Sequence, residues 1–157
     1  MSYQNDDNKG RLVFESFCNQ ETWCKVNKFA KNDYSKWDVS YFSGSTAMLG
    51  EIKKRKYEST SYGEWYLQVD KYTVLSNMQV KLKQEGKEVK ITYINHFTDN
   101  ITQIWVLDGI DLSKLERKTL LLQTNDYDDK LEYKEVYCLP HMKAHKFETD
   151  LTKSIFN

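Results

Sequence analysis

KWDVSYFSGSTAMLGEIKK, residues 36–54, is the stretch that decides how this chain folds. Lys36 to Phe42 alternates and is rich in aromatic and β-branched side chains, the pattern of a half-buried strand. Ser43-Gly44-Ser45 is a turn signal, and Thr46 to Lys54 reads as the returning strand. A turn centred between Gly44 and Ser45 sets residues whose numbers sum to 89 opposite one another, so Asp38 faces Glu51. Opposed side chains hold their Cβ atoms about 4.5–5.5 Å apart, where like charges repel. A divalent cation offsets that repulsion. Lys53, two residues beyond Glu51, lies on the same face of its strand.

An acid, a turn and then acid-x-lysine, in this order, resembles the PD-(D/E)XK nuclease superfamily. Asp38 matches the first acid of its motif, with Trp37 where a proline usually stands, and Glu51 and Lys53 match the second half. The bare triplet is common by chance. Its weight comes from the aromatic strand, the tight turn, the run Ala47 to Gly50 leading into Glu51, and the long helix that follows. The resemblance implies an α/β fold, with a restriction-endonuclease-like central mixed β-sheet flanked by helices. It also implies cleavage of nucleic-acid phosphodiesters dependent on Mg²⁺ or Mn²⁺. Asp38 and Glu51 then hold the metal through oxygen ligands suited to hard cations. In the family the backbone carbonyl at the position of Ile52 often completes the shell, and a helix before the hairpin often supplies another acid. Glu15 and Glu21 are the candidates for that acid, with Glu21 preferred. Both also read as ordinary first-turn acids favoured by a helix dipole. Lys53 orients the attacking water and offsets charge in the transition state.

From Trp65 to Gln84 the apolar residues Trp65, Val69, Tyr72, Leu75, Met78 and Leu82 recur at three- and four-residue steps, predicting a helix with one buried stripe that Gly86 stops. Gln68 and Lys71 run along the margin of that stripe, one turn apart. Read alone, they are ordinary solvated residues of an amphipathic helix. Beside the upstream triad they point to the water or the adjacent phosphate. Gln68 to Tyr72 also resembles the Gln-x-x-x-Tyr motif of the exonuclease branch, and Lys71 matches a helix lysine frequent in small phage and bacterial members.

At 157 residues and 39% hydrophobic, the chain holds one sizeable core, and the expected division is a flexible tail over 1–9 and a single nuclease-like domain over 10–157. Its 23 basic and 23 acidic side chains exclude a global positive field, so attraction to nucleic acid must be local. Lys53-Lys54-Arg55-Lys56 is the place for it. Arg55 shares the face of Lys53, and with the triad Arg55 and Lys54 become phosphate contacts; without it the run is a solvated strand end. Cys18, Cys24 and Cys138 are odd in number and lack paired metal or disulfide spacings, so reduced, partly buried thiols are expected. No apolar run reaches membrane-span length and no signal segment opens the chain, which leads to the expectation of a cytoplasmic protein.

A first helix is expected over about Asn19 to Ala30. Lys87 to Phe97 and Ile101 to Leu107 form a second hairpin around Thr98 to Asn100. A short helix near Leu112 to Arg117 and a peripheral strand near Glu135 to Cys138 complete the outline. His141 and His145 have i, i+4 spacing but lack the acid of a metalloprotease motif and sit beside Pro140, which favours a coincidental pair. The partner implied is nucleic acid, DNA by preference, with a homodimer or larger complex as one route to specificity. The other class left open is a non-catalytic relative that keeps the fold as a nucleic-acid- or protein-binding module. In a third, Lys53 simply neutralises the two acids.

Overall fold

The computed structural model describes residues 3–30, 37–123 and 130–152, the side chains of 3–8 and 123 excepted. Lys36, and residues 1 and 2 of the expected tail, lie outside them. Along the described chain run α1 (Tyr3–Gln20), β1 (Cys24–Phe29), β2 (Val39–Ser43), β3 (Thr46–Lys54), β4 (Glu64–Gln68) and α2 (Val69–Gln84). There follow β5 (Lys90–His96), β6 (Ile101–Val106), β7 (Arg117–Gln123), β8 (Leu131–Pro140) and β9 (His145–Glu148).

Gly44, at φ +59°, makes the turn from β2 to β3, a conformation that side-chain-free glycine adopts at no steric cost. The register that follows pairs Ser43 with Thr46 and Val39 with Gly50, as a turn centred after Gly44 requires. β3 then lies beside β5 in parallel, Glu51 opposite Tyr93 and Lys53 opposite Asn95. A parallel neighbour needs a crossover, and β4 with α2 supplies it. The result is a mixed six-stranded sheet in the order β1-β2-β3-β5-β6-β9, accompanied by a three-stranded sheet in the order β4-β8-β7. The expected α/β architecture, a central mixed sheet with helices against it, is therefore the one observed.

Alternation along β3 and β5 sorts the core. Leu49, Ile91, Tyr93 and Trp105 face the side covered by α2 and the three-stranded sheet, with Leu75, Leu67 and Leu139. Met48, Ile52, Ile94 and Ile104 face α1, whose Phe14 and Phe17 are wholly buried. Gly50 is closely packed among their neighbours: a Cβ there would meet Ile94 Cδ1 at 2.8 Å, Thr92 Oγ1 at 3.1 Å and Val39 Cγ1 at 3.2 Å, so those side chains would have to shift.

Several sequence expectations are corrected. The long helix begins at Val69, because Glu64 to Gln68 forms β4, with Trp65 and Leu67 buried on alternate positions and paired to β8. The first helix is α1, which starts at Tyr3 inside the expected tail and ends at Gln20. The stretch read as helical, Asn19 to Ala30, instead passes into β1, whose irregularity between Val26 and Lys28 resets the period-two pattern. Leu112–Lys114 is a single 3-10 turn before β7, and the peripheral strand is β8, ten residues long and central in its sheet. Cys18 and Cys24 are joined in a disulfide, not left as thiols. The turn donating Glu21 N to Phe17 O brings the end of α1 back onto β1, with Cα atoms 4.9 Å apart. Cys138 is a buried thiol.

Candidate active site

The end of β3 carries Glu51 and Lys53 toward the same side, and their charged groups meet at 3.9 Å. Glu51 is buried, between Leu49 and Lys53 on its face of β3 and opposite Tyr93 of β5. Asp38 stands immediately before β2, one step past the last paired residues Val39 and Gly50. Its own amide donates to the Gly50 carbonyl at 2.9 Å, and its carboxylate Oδ2 accepts from the Ile52 amide at 2.8 Å. The expected opposition of Asp38 and Glu51 is thus replaced by a slight slip, which lays Asp38 against the peptide that follows Glu51. In an extended strand a residue's N–H and C=O project to the same edge, so the Ile52 carbonyl looks toward this acid as well.

The electrostatics reflect two acids sharing a poorly solvated place. Burial, reinforced by the charge of Glu51, pushes Asp38 up to about 7; the Ile52 amide, Lys53 and Arg11 pull in the opposite direction without prevailing. For Lys53, partial desolvation and the neighbouring Arg55 charge favour the neutral amine. Glu51, Tyr93 and Asp38 outweigh them and hold the lysine above its ordinary value.

A cleft of about 210 Å³ opens over this face, lined by Glu51, Lys53, Arg55, Gln68, Lys71 and Tyr93 among others. Its far wall, Leu122 and Val136, comes from the three-stranded sheet. Gln68 ends β4 and Lys71 lies in the first turn of α2, so the strand-to-helix junction aims both at the cleft. Arg55 is fixed by three partners: Tyr93 Oη at 2.6 Å, the Tyr66 carbonyl at 3.5 Å and the Trp65 ring at 5.5 Å. Lys54, the alternate residue, is exposed and does not line the cleft.

Of the residues singled out from sequence, Glu51, Lys53, Gln68, Lys71 and Arg55 therefore share one cleft, and Asp38, which does not line it, is tied to the peptide that follows Glu51. Glu21 does not join them. Its carboxylate accepts from Trp23 Nε1 at 3.1 Å and from the Thr149 hydroxyl at 2.6 Å, beyond the end of α1. Three neighbours carried no motif. Tyr93 braces Arg55, and Arg11 reaches Asp38 electrostatically from α1. Asn95, paired in register with Lys53, is wholly buried with neither amide atom hydrogen-bonded among the described residues. The alternation of β5 is the signal that finds Tyr93 and Asn95, once β5 is known to lie beside β3.

A second group of ligand-type side chains, Glu64, Glu116 and Cys138, gathers within 4.8 Å and could hold a metal ion. Lys118 Nζ already lies 2.8 Å from Glu64 there, supplying positive charge from the protein itself.

No family model and no curated protein matches this chain. Among solved structures it is similar to Hjc, a Holliday junction resolvase from Archaeoglobus fulgidus, at a TM-score of 0.48 and 12% identity over 87% of this chain and 86% of that one.

Proposed function

We propose that this chain is a metal-dependent nuclease that hydrolyses phosphodiester bonds of nucleic acid, DNA by preference, at the Asp38, Glu51 and Lys53 site. The supporting observation is convergence: Glu51, Lys53 and three further polar side chains from separate elements border one cleft, and Asp38, electrostatically coupled to Glu51, is bonded to the next peptide. The donor set fits a hard dication. Glu51 is buried, and the raised pKa of Asp38 marks negative charge that the protein itself leaves incompletely balanced. Asp38 and Glu51, with the Ile52 carbonyl, would hold Mg²⁺ or Mn²⁺. Such an ion supplies Lewis acidity toward the phosphate and its attacking water. The amine of Lys53, kept protonated by its acidic neighbours, offsets charge on the phosphorus-centred transition state. Gln68 and Lys71 orient the water or the flanking phosphate from the opposite wall, and Arg55, pre-set by Tyr93, receives a phosphate oxygen.

A second reading rests on the 3.9 Å contact of Lys53 with Glu51, in which the amine neutralises the acid and the fold serves as a non-catalytic binding module. The two part in one assay. Labelled linear duplex, circular and single-stranded substrates are incubated with Mn²⁺, with Mg²⁺ and with chelator. Cleavage in either metal, lost in chelator and in Glu51→Gln, is the expected result. Intact substrates throughout reject the nuclease and leave the binding module.

A further inference from the structure

Tyr57 and Tyr62 are large aromatic residues with half of their surface in solvent, at 50% and 51% exposure, although each packs on the buried Trp65. Their rings meet edge to face at 5.4 Å, and Tyr62 stands 5.4 Å from Trp65, the same indole that carries the Arg55 guanidinium on its ring. The pair therefore begins one ring away from a cation lining the cleft. Exposed Lys54 and Lys56 precede Tyr57 in the chain.

The loop that carries both tyrosines is tied down. Ser59 donates from its amide and its hydroxyl to Asp99, the latter at 2.7 Å. The carbonyl of Tyr57 accepts from the Thr98 amide at 3.0 Å, and the carbonyl of Tyr62 is bonded by His141. Aromatic surface on a pinned loop is not explained by core packing, and holding it rigid lowers the entropic cost of binding a flat partner. Exposed cations followed in the chain by exposed rings match the chemistry of an unstacked nucleotide: phosphates meet the lysines, and a base has a π-face for a tyrosine. In a duplex those faces are covered by their neighbours.

We infer that Tyr57 and Tyr62 form a stacking platform for unpaired bases beside the cleft. This chain then acts on nucleic acid that is single-stranded, or locally unpaired, next to the bond it cleaves. The inference rests on the nuclease reading for the reaction, but not for the binding. The test is fluorescence anisotropy in chelator, with labelled oligo(dT) and a blunt duplex of equal length, on the wild type and the paired variants Tyr57→Ala/Tyr62→Ala and Tyr57→Phe/Tyr62→Phe. The wild type should prefer oligo(dT). The alanine pair should lose that affinity by about tenfold or more, with duplex affinity and melting temperature held, and the phenylalanine pair should keep it. Equal binding of oligo(dT) by the alanine pair and the wild type overturns the platform. So does a wild type that holds the duplex as tightly as the single strand. Because these arms contain no metal, they stand or fall apart from the cleavage assay: a protein that binds oligo(dT) through the tyrosines yet cuts nothing loses the nuclease reading alone.

Discussion

The carboxylate of Asp38 accepts the amide hydrogen of Ile52 at 2.8 Å, across the gap left where β2 stops pairing with β3. That bond does for the acid what a turn does for a strand: it sets position, and although it is stronger to the charged form, a neutral side-chain carbonyl can also accept it. Position and charge at residue 38 can therefore be separated by substitution.

Asp38→Asn keeps an acceptor for Ile52 and removes the charge. In the native protein Asp38 titrates at about 7, while an unfolded aspartate titrates near its ordinary value of 3.8. Between those limits the unfolded chain releases a proton that the native state retains, so the stability contributed by this group is complete below the lower value and declines as pH rises to the upper. The asparagine variant should lack this decline. Each tenfold by which the native carboxyl holds its proton more tightly than the unfolded one is worth about 1.4 kcal/mol. In metal-free buffer at pH 7 the variant should therefore melt higher than wild type, by about 3–6 °C per such factor. Thermal melts of both proteins from pH 4 to 7.5 check it; parallel curves reject the assignment.

Metal should bind the native state alone, because the ligands are dispersed in the unfolded chain. Mn²⁺ at a hundredfold excess over Kd then adds about 2.7 kcal/mol, a rise of roughly 5–10 °C in melting temperature. The rise should vanish in Asp38→Asn/Glu51→Gln. It should also shrink as pH falls below about 7, where a proton competes for Asp38. Calorimetry with and without Mn²⁺ at two pH values measures both effects.

Substitutions at Glu51 and Lys53 should divide activity from stability. Glu51→Gln removes one of two crowded acids, so its metal-free melting temperature should equal or exceed that of wild type. Lys53→Met leaves both acids without their cation and should melt lower. Both should lower the cleavage rate by about 10²–10³ or more, the scale on which charge-stabilising groups act. A Glu51→Gln protein that melts clearly lower than wild type in chelator is the signature of a structural ion pair.

His96 governs the acid side. Its ring lies among Phe14 and Phe17, Nδ1 meets the Thr102 hydroxyl at 2.7 Å, and burial lowers its pKa to about 3. Here the unfolded histidine takes up a proton that the native ring refuses, so stability is complete above the ordinary value of 6.5 and is lost as pH falls toward the lower value. Asp38 and His96 thus act in opposite directions over overlapping ranges. In the Asp38→Asn background the acid loss belonging to His96 should stand uncovered, as a steeper fall in melting temperature from pH 6.5 to 4 than wild type shows.

The hairpin is legible in the sequence because one glycine turn and two short alternating runs dictate its register, and the alternation of β3 alone places Glu51 and Lys53 on one face. Gln68 and Lys71 are legible by position, although the element that carries Gln68 is a strand. Trp65 and Leu67 satisfy both a helical stripe and strand alternation, and pairing with β8 decides between them. Tyr93, Asn95 and Arg11 are hidden for a different reason. Their place depends on which strand lies beside β3 and which helix covers it, relations between distant segments that local periodicity does not carry. The disulfide is hidden likewise, since only the turn after α1 brings Cys18 back to Cys24.

The cleft draws Glu51 and Lys53 from one sheet and Leu122 and Val136 from the other, with Gln68 and Lys71 at the junction that joins the second sheet to its helix. During synthesis the hairpin bearing the acids emerges first, tens of residues ahead of the wall that faces it. A half-folded chain can carry the charges but lacks the wall that closes the cleft beside them. The cleft is therefore complete only when the last strands have found their places.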